Sequence, residues 1–466
     1  MVRLMMRFFV FQRFAVKSAT ALLLAASLPI ANARTRPHYG GTLRIETQAD
    51  AWQRFASPVR RLVFEGLTRV DGAGGLRPAL ATEWKSDSEE HRWRFQVRTG
   101  VHFHDASAVT ATALAGALQQ SCTENCPWTV VRAVGTEVVF TSDAAMPNLP
   151  ALLAGDAFLI QHPSSNGGVD GTGPFEVSGF SNGVITLKAN VDHWAGRPFV
   201  DAIEVRTRRS IADQWADVEA ARADIVEVPA EKLRQAKQQR LTVLESRSVE
   251  LLALQVRSTG ALSNVNLRRA VACAVDRGAL FNVIFQKEGE VTGSLTPHWM
   301  TGYSFLFPLE RDLNKAQALR GGAAPPVVTL SADSSDATLQ LIAGRIELNL
   351  REAGFNVQPV QKGGRQEADL ILKMLPLEVG ESGAAVESLQ RAFDAHAFSK
   401  PPMTSVTAEE QAQAMLRFER EVVANAAVIP LLYLPRAYGI GSRVRDIHLN
   451  LDASIDLADS SLEESK

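Results

Sequence analysis

Alternation of apolar and polar residues predicts β-strands in the first half of the chain. The clearest case is residues 91–97, where Trp93, Phe95 and Val97 are separated by polar side chains. A period of two residues is typical of a strand with one buried face. Shorter segments share this pattern at 40–48, 137–141 and 184–189.

Apolar residues spaced four apart predict helices in the second half of the chain. Residues 335–354 stack Ile342, Ile346 and Leu350 on one face. Gly354 then suits the helix exit, because glycine tolerates the left-handed conformation that often ends a helix. This segment is therefore predicted to be an amphipathic helix.

Two further helices complete the coarse pattern. Residues 266–285 place four apolar side chains on one face: Leu267, Val271, Ala274 and Val275. The other helix opens with the capping box Thr407-x-x-Glu410 and stops before Pro430. Strands that alternate with helices imply an α/β or α+β architecture. The acidic last residues, 456–466, are predicted to fray.

The N-terminus has the pattern of a secretory signal peptide. A basic start with four Lys and Arg residues precedes the apolar run ATALLLAASLPIANA, which ends in Ala31-Asn32-Ala33. This pattern predicts cleavage after Ala33 and export to the periplasm. An uncleaved anchor is the alternative, although the run is short for a membrane span. No later apolar run approaches spanning length, so the protein is not expected to be membrane-embedded.

Composition and charge narrow the class of protein. With 46% hydrophobic and 21% charged residues the chain resembles an ordinary globular protein, and 466 residues suggest two or three domains. Removal of the leader changes the formal net charge from −2 to −6, because the leader carries four basic and no acidic residues. The remaining Lys and Arg are dispersed, which argues against a nucleic-acid partner.

The three cysteines fit an exported protein. Cys122 and Cys126 lie in the segment SCTENCPW and are predicted to form a small disulfide loop in an oxidising compartment. Two free thiols are the alternative. Cys273 is flanked by small apolar residues and is predicted to be a buried thiol.

The pattern G-x-S-x-G at Gly179 to Gly183 suggests a hydrolase nucleophile at Ser181. A nucleophile elbow needs a strand before the serine and a helix after it. Here both flanking segments have strand patterns, and Asn182-Gly183 is a strong hairpin signal. A β-hairpin is therefore the favoured interpretation, and we predict no catalytic residue here.

His102 and His104 lie two residues apart and are expected to share a strand face. Two imidazoles on one face can begin a metal site, but no third ligand is evident nearby in the sequence. Two surface histidines are the favoured interpretation. No phosphate-binding or dinucleotide-binding glycine motif occurs, so we predict no metal, no cofactor and no enzyme activity.

A more specific signal follows the hairpin. The segment NVDHWAGRP, with Asn190, Asp192, Trp194, Gly196 and Pro198, resembles the N-x-D-x-W-x-G-x-P segment of family 5 extracellular solute-binding proteins. These are the dipeptide and oligopeptide receptors of ABC importers. Further segments are similar to family signatures in the same order along the chain: GGTLRI, FEGL to FHD (64–105), GTGPFEV, ARADIVEV, LRRAVACAVDR and VIPLLYL.

The resemblance implies an α/β, two-lobed periplasmic-binding-protein-like fold of type II, with a subdomain inserted in lobe I. The segments LLALQV (251–256) and IPLLYL (429–434) would cross between the lobes. The expected divisions are a signal peptide at 1–33, lobe I segments at 34–52 and 171–255, the inserted subdomain at 53–170, lobe II at 256–428, and a return to lobe I with the tail at 429–466.

The resemblance also implies a function. The protein would act as a periplasmic, monomeric receptor that captures a peptide or similar small solute between its lobes and delivers it to an inner-membrane ABC permease. Peptide receptors of the family carry a W-x-x-D-x-x-D-P segment in lobe II, and the corresponding region here, LILKMLPLEVGESGAAVESLQ, lacks its Trp and Asp residues. The candidate ligand-binding residues are Trp52, Ser57, Trp299 and Glu378, the last as a possible ammonium anchor.

Alternatives come from other classes of protein. The same fold could serve a solute sensor or chaperone, or a protein that binds a metal chelate. A secreted serine hydrolase is the less favoured alternative. Each implies a different ligand or reaction in the same exported chain.

Overall fold

A curled, mixed sheet is the central element of the computed structural model, and the predicted α/β class is confirmed. All described residues belong to the compact unit His38–Lys466. The structure describes residues 38–48, 58–122, 126–163, 169–322, 324–332, 336–360, 368–377, 382–393, 398–399, 408–451 and 453–463.

Within these residues the strands have the following bounds: β1 (Thr42–Glu46), β2 (Thr68–Val70), β3 (Leu76–Pro78), β4 (Ala81–Ser86), β5 (Arg92–Val97), β6 (Val130–Val134), β7 (Glu137–Thr141), β8 (His162–Pro163), β9 (Val169–Asp170), β10 (Phe175–Ser181), β11 (Val184–Ala189), β12 (Ala202–Arg206), β13 (Ile225–Val228), β14 (Val243–Val256), β15 (Glu290–Val291), β16 (Val327–Ser331), β17 (Asn356–Pro359), β18 (Leu370–Pro376), β19 (Val428–Ile440), β20 (Val444–Arg445), β21 (His448–Leu449), β22 (Ile455–Asp456) and β23 (Ser461–Leu462).

The α-helices of the same residues are α1 (Pro58–Val63), α2 (Ala111–Ser121), α3 (Leu149–Leu152), α4 (Ile211–Glu219), α5 (Leu233–Gln238), α6 (Val265–Ala274), α7 (Arg277–Ala279), α8 (His298–Thr301), α9 (Leu313–Arg320), α10 (Ala337–Glu352), α11 (Ser382–Ala392) and α12 (Ala408–Asn425). A π-helical turn at Leu280–Ile284 continues α7. Helix α10 buries Ile342, Ile346 and Leu350 as predicted, and Gly354 after it has a φ of 88°.

The central sheet has the order β10-β11-β12-β1-β13-β19-β14-β18-β16-β17 among the described residues. Strands β1, β12 and β13 are parallel and form the first parallel set. Strands β16, β17 and β18 are also parallel and form the second parallel set. Strands β14 and β19 join the two sets. Strand β14 has the same direction as the first set, because β13 and β14 are both antiparallel to β19. Since β14 is antiparallel to β18, the two sets point in opposite directions.

The long pair β14 and β19 contains both segments that were predicted to cross between lobes. Residues 251–256 lie in β14 and residues 429–434 lie in β19, and the two strands pair antiparallel. Their register shifts twice between Glu245 and Glu250, which marks β-bulges. Bulges bend a strand and increase its twist, so this stretch is where the sheet turns from one set to the other.

Alternate residues of β14 enter different cores, as the pleat of a strand requires. Leu251 and Ala253 join a core that includes β4 to β7, α2, α11 and α12. Leu252 and Leu254 join a second core with α6, α9 and α10. Burial on both faces explains why this strand is almost wholly apolar in its second half.

Two expectations about local structure are wrong. The predicted helix over 266–285 ends at Ala274, and Val275 is extended. Asp276 begins a new helix there, since its side chain accepts a hydrogen bond from the Ala279 N–H. The second expectation, fraying of the acidic tail, is wrong for residues 456–463. Leu457 is fully buried and β23 pairs with β20, so apolar side chains hold this acidic segment in place.

The predicted disulfide is present in the structure, but Cys273 is less buried than predicted. Cys122, which follows α2, is joined to Cys126 by a disulfide. Cys273 is free and half-buried on α6, and burial raises the pKa of its thiol.

Candidate functional site

The carboxyl ends of the two parallel sets face each other. Val228 at the end of β13 and Glu245 of β14 are both level with Ala437 of β19. Pro376 at the end of β18 is level with Glu250 of β14. The two edges are thus separated along β14 by a few residues, on the order of 15 Å at the rise of an extended strand. Ligands of open α/β sheets bind outside carboxyl ends of strands, so this gap is the candidate cleft.

A network of charged side chains lies at the carboxyl end of the first parallel set. Glu46, which ends β1, is fully buried between Arg206 at 3.3 Å and Arg209 at 3.6 Å. Asp217 of α4 accepts from Arg209 at 2.8 Å and Arg222 at 2.6 Å. Burial and the nearby Asp217 raise the pKa of Glu46. Burial opposes ionisation of Asp217 too, but hydrogen bonds from the arginines keep its pKa below the ordinary value.

Next to this network, Glu227 of β13 fixes the exit of β1. Its carboxylate accepts from the Thr47 hydroxyl at 2.8 Å and from the Gln48 N–H at 2.6 Å. Gln214 of α4 donates to the same carboxylate at 3.3 Å. The residues that directly follow β1 are therefore held to β13 by charge-assisted hydrogen bonds.

One hydrogen bond joins the two facing edges directly. Glu231 lies in the turn after β13, and Thr338 lies in the first turn of α10, which follows β16. The Thr338 hydroxyl donates to the Glu231 carboxylate at 2.8 Å. The two sets are therefore in contact at one side of the candidate cleft.

A second contact joins the inserted region to α11. The Asn148 amide donates to Glu387 at 3.3 Å, and the Arg391 guanidinium lies 5.2 Å from the centre of the Phe158 ring. Small and apolar residues of α11 belong to the same core as α3, since Ala384 is fully buried there. The inserted region and α11 are therefore joined by packing as well as by polar contacts.

Three of the four candidate ligand-binding residues lie outside the described residues. Trp52 and Ser57 belong to the segment that leaves the carboxyl end of β1, and Glu378 follows the end of β18. Both segments start from the facing edges. Their participation in a ligand site remains a prediction.

The fourth candidate, Trp299, lies beside the bulged stretch of β14. Its indole N–H donates to the Ser248 carbonyl at 3.0 Å. Pro435 is the residue paired with Ser248, and proline has no N–H to offer the ladder, so the indole supplies a donor that the sheet lacks. The Arg247 guanidinium lies 5.4 Å from the centre of the Trp299 ring. Contact of Trp299 with a ligand remains a prediction.

Side chains also replace ladder bonds elsewhere in the bulge. The Ser246 hydroxyl accepts from the Arg436 N–H at 3.0 Å and donates to the Arg247 carbonyl at 2.6 Å. The Arg436 guanidinium pairs with Glu250 at 2.7 Å. Residues 246–249, which lie between the facing edges, are therefore held by specific side chains and form the floor of the candidate cleft.

The residues that carry the sequence resemblance hold the inserted region against the first set. The Glu65 carboxylate accepts from the Trp194 indole at 3.0 Å, from Thr172 at 2.8 Å and from His193 at 3.4 Å. The Arg98 guanidinium lies 4.1 Å from the centre of the Trp194 ring. Three segments thus meet at one carboxylate, and a fourth, through Arg98, packs on the indole that donates to it, which is a structural role.

The two motifs that suggested chemistry also have local structural explanations. His104 lies near Gly173 O, at 3.0 Å from Nε2, while His102 is exposed. The predicted hairpin is confirmed: β10 ends at Ser181, β11 begins at Val184, and Asn182 and Gly183 both have positive φ. A strand and not a helix follows Ser181 directly, so the strand–turn–helix geometry of a nucleophile elbow is absent at this serine.

Sequence reasoning missed a buried polar cluster around Glu419 of α12. This fully buried carboxylate accepts from the Leu295 N–H at 2.9 Å and from the hydroxyls of Ser294, Thr296 (2.6 Å) and Tyr303 (3.0 Å). Burial raises the pKa of Glu419 even though these donors oppose the shift. The sequence signal was weak because one glutamate in a charged helix has no distinguishing pattern.

Metal ligands and membrane-spanning helices also bear on function. Within the described ranges, no group of three or more His, Cys, Asp or Glu residues is placed to hold a metal ion. Among the helices of those ranges, none has both the length and the apolar composition needed to cross a bilayer.

Residues 75–369 match the family model described as bacterial extracellular solute-binding proteins, family 5, middle. Among curated proteins, the chain is similar to the uncharacterised protein YhjP of Bacillus subtilis strain 168, with 26% identity over 212 residues, 42% of this chain and 33% of YhjP. It is also similar to the probable D,D-dipeptide-binding periplasmic protein DdpA of Escherichia coli K12, with 23% identity over 376 residues. That match covers 72% of this chain and 73% of DdpA.

Solved structures show the same fold. The structure of NikA from Staphylococcus aureus in complex with Ni(L-His)2 has a TM-score of 0.76 at 15% identity and covers 91% of this chain and 100% of its own. AgaA of A. tumefaciens R10 in complex with agropinic acid has a TM-score of 0.78 at 18% identity, covering 91% and 99%. DppA of Helicobacter pylori in complex with the peptide STSA has a TM-score of 0.76 at 17% identity, covering 92% and 99%. Such structures are two-lobed binding proteins, so the predicted two-lobed fold is confirmed.

Proposed function

The chain belongs to the bacterial extracellular solute-binding proteins of family 5, and on this premise we propose that it is the periplasmic substrate-binding component of an ABC importer. It captures a peptide or similar small solute between two lobes and presents it to an inner-membrane permease. The predicted division into lobe I, an inserted subdomain and lobe II belongs to this proposal.

One observation carries the proposal. The carboxyl ends of two oppositely directed parallel sets face each other across a bulged pair of strands. Such a pair can absorb hinge closure, while the facing edges supply loops that enclose a solute. No covalent step is needed for this activity.

The class of solute is part of the proposal. The three similar structures hold a peptide, agropinic acid and a nickel complex of L-histidine. We assign this chain a peptide or similar small solute, with Trp52, Ser57 and Glu378 as candidate ligand-binding residues. A metal chelate is the second candidate, favoured by the similarity to NikA.

The test is native mass spectrometry of the full chain after export to the periplasm of an expression host. Denaturation should release a solute in stoichiometric amount, and its mass identifies a peptide, a chelate or another compound. Glu378→Gln should weaken binding of an amine-bearing solute, whereas Glu83→Gln, at an exposed position on β4, is the matched control. Absence of any retained solute from wild type would contradict the proposal.

Delivery is tested separately. Cells that lack this protein should lose uptake of the identified solute, and expression of wild type should restore it. Normal uptake without the protein, combined with clear binding in vitro, would favour a sensor or chaperone.

A further inference from the structure

Arg247 has an unusual place in the candidate cleft. It lies in the bulge of β14, between the level of Glu245 at one facing edge and that of Glu250 at the other. Its side chain is exposed. An arginine on the floor of an enclosed site offers five N–H donors and a permanent positive charge.

The nearby carboxylates on the same strand are already engaged. Glu245 pairs with Lys237 at 2.8 Å, and Glu250 pairs with Arg436 at 2.7 Å. Among the described residues, no carboxylate forms an ion pair with Arg247, whose guanidinium lies over the Trp299 ring. The guanidinium donors are therefore left to solvent or to a solute.

Trp299 holds the guanidinium in place. Its ring centre lies 5.4 Å from the Arg247 Cζ, within the range of a cation–π contact. The ring itself is fixed, because its N–H is bonded to the Ser248 carbonyl and its body packs against the core that contains Leu251. Stacking restrains a flexible side chain before any solute arrives, which lowers the entropy cost of binding.

We propose that Arg247 binds a carboxylate of the solute, and that Trp299 is the positioning residue that presents Arg247 to it. This inference rests on the proposed function and deepens it, since it defines the solute as an anionic or zwitterionic compound with a free carboxylate. A planar guanidinium matches a carboxylate with two parallel hydrogen bonds, and lysine does not reproduce that geometry.

The probe for the test is the low-molecular-mass fraction of yeast extract, either untreated or methyl-esterified so that its carboxylates become neutral esters. Wild type, unfolded and refolded to remove bound compounds, is incubated with each fraction, and retained solutes are counted by native mass spectrometry. Wild type should retain a solute from the untreated fraction only.

The variants separate the roles of the residues. Arg247→Gln should retain the solute at least about tenfold less well, because the charge-assisted, two-bond contact with the carboxylate is lost, and Arg247→Lys should recover only part of the affinity. Arg132→Gln, at an exposed position on β6, is the matched control and should behave as wild type. Trp299→Phe, which keeps an aromatic ring but lacks the indole N–H, should weaken retention less than Trp299→Leu.

The unfolding temperature of each variant shows that it has folded. Since the Arg247 side chain is exposed, Arg247→Gln should keep the unfolding temperature of wild type, so lost retention is not lost folding. Equal retention by Arg247→Gln and wild type, or equal retention of esterified solutes, would overturn the assignment and leave solute binding intact. Failure of wild type to retain any solute would overturn both proposals.

Discussion

Glu419 gives the most discriminating test of how burial and hydrogen bonding balance in this fold. Its carboxylate has four donors, and one of them, the Leu295 N–H, is a backbone group that cannot rotate toward another partner. The Ser294, Thr296 and Tyr303 hydroxyls can rotate. The consequences of a substitution therefore depend on what the new side chain offers to Leu295.

Replacement by leucine removes every acceptor. The Leu295 N–H would then be buried without a partner, which costs about 1–3 kcal/mol, and the loss of charge-assisted bonds from the hydroxyls adds to this. We expect Glu419→Leu to lower the free energy of unfolding by at least ~2 kcal/mol. Glutamine keeps one carbonyl oxygen for Leu295, and its NH₂ can donate to hydroxyls that reverse direction, so Glu419→Gln should be nearly neutral at pH 7.

Wild type and Glu419→Gln should differ in how their free energy of unfolding depends on pH. Burial raises the pKa of Glu419 above the ordinary 4.5, so the folded protein holds this proton more tightly than the unfolded chain does. Wild type is therefore most favoured below about pH 4.5, and it loses stability as pH rises through the folded pKa. Tyr303 and Tyr433 do not contribute to this pH dependence, because burial raises the pKa of both hydroxyls and they stay neutral from acid to neutral pH.

Urea unfolding followed by circular dichroism, at a series of pH values from acid to neutral, measures this difference. The free energy of unfolding of Glu419→Gln, minus that of wild type, should rise with pH and then level off. A glutamine variant that is destabilised by the same ~2 kcal/mol as leucine at every pH would refute the reasoning, because it would mean that the full charge is required for the donors.

Three further predictions concern packing, lobe contact and the disulfide. Gly171→Ala should destabilise the protein by about 1–3 kcal/mol in thermal unfolding, since its Cβ would lie 1.9 Å from the Val63 carbonyl oxygen, whereas the Cβ of Gly179→Ala meets no atom within 4 Å and should be tolerated. Thr338→Val should remove the bond to Glu231 and increase the radius of gyration of the solute-free protein in X-ray scattering; Thr338→Ser should not. Reduction of the disulfide that follows α2, with its sequence separation of 4, should cost about 2 kcal/mol, and an unchanged unfolding temperature under reducing conditions would contradict this.

Much of the fold follows from periodicity and turn chemistry. The hairpin of β10 and β11 was predictable because Asn182-Gly183 favours positive φ in both residues, as the structure has it. Helix α10 was predictable because its apolar residues recur at spacing four. The break at Val275 was not predictable from apolar spacing, since it depends on a cap by the Asp276 side chain and on a hydrogen bond that the Asp276 N–H donates to the Asn349 side-chain oxygen.

The candidate cleft was harder to predict, because its geometry depends on register and not on residue type. The family resemblance indicated the crossover segments, but nothing in their sequence shows that the register shifts between Glu245 and Glu250. That the two edges face each other depends on how strands far apart in the chain pair and in which direction they run. Sequence similarity supplied the candidate loops, and physical pattern alone would have missed them.

Arg247 shows why the floor of the cleft escaped sequence reasoning. Between Ser246 and Ser248 it has the pattern of an ordinary polar strand end. Its significance comes from three facts of tertiary structure: the bulge, the missing N–H of Pro435 opposite Ser248, and the indole of Trp299 that bonds in its place. The bulge turns the chain between the facing edges, so Arg247 lies on the same short stretch of β14 that we propose as the hinge. A carboxylate bound there would favour one lobe angle over others, which links the choice of solute to closure of the cleft.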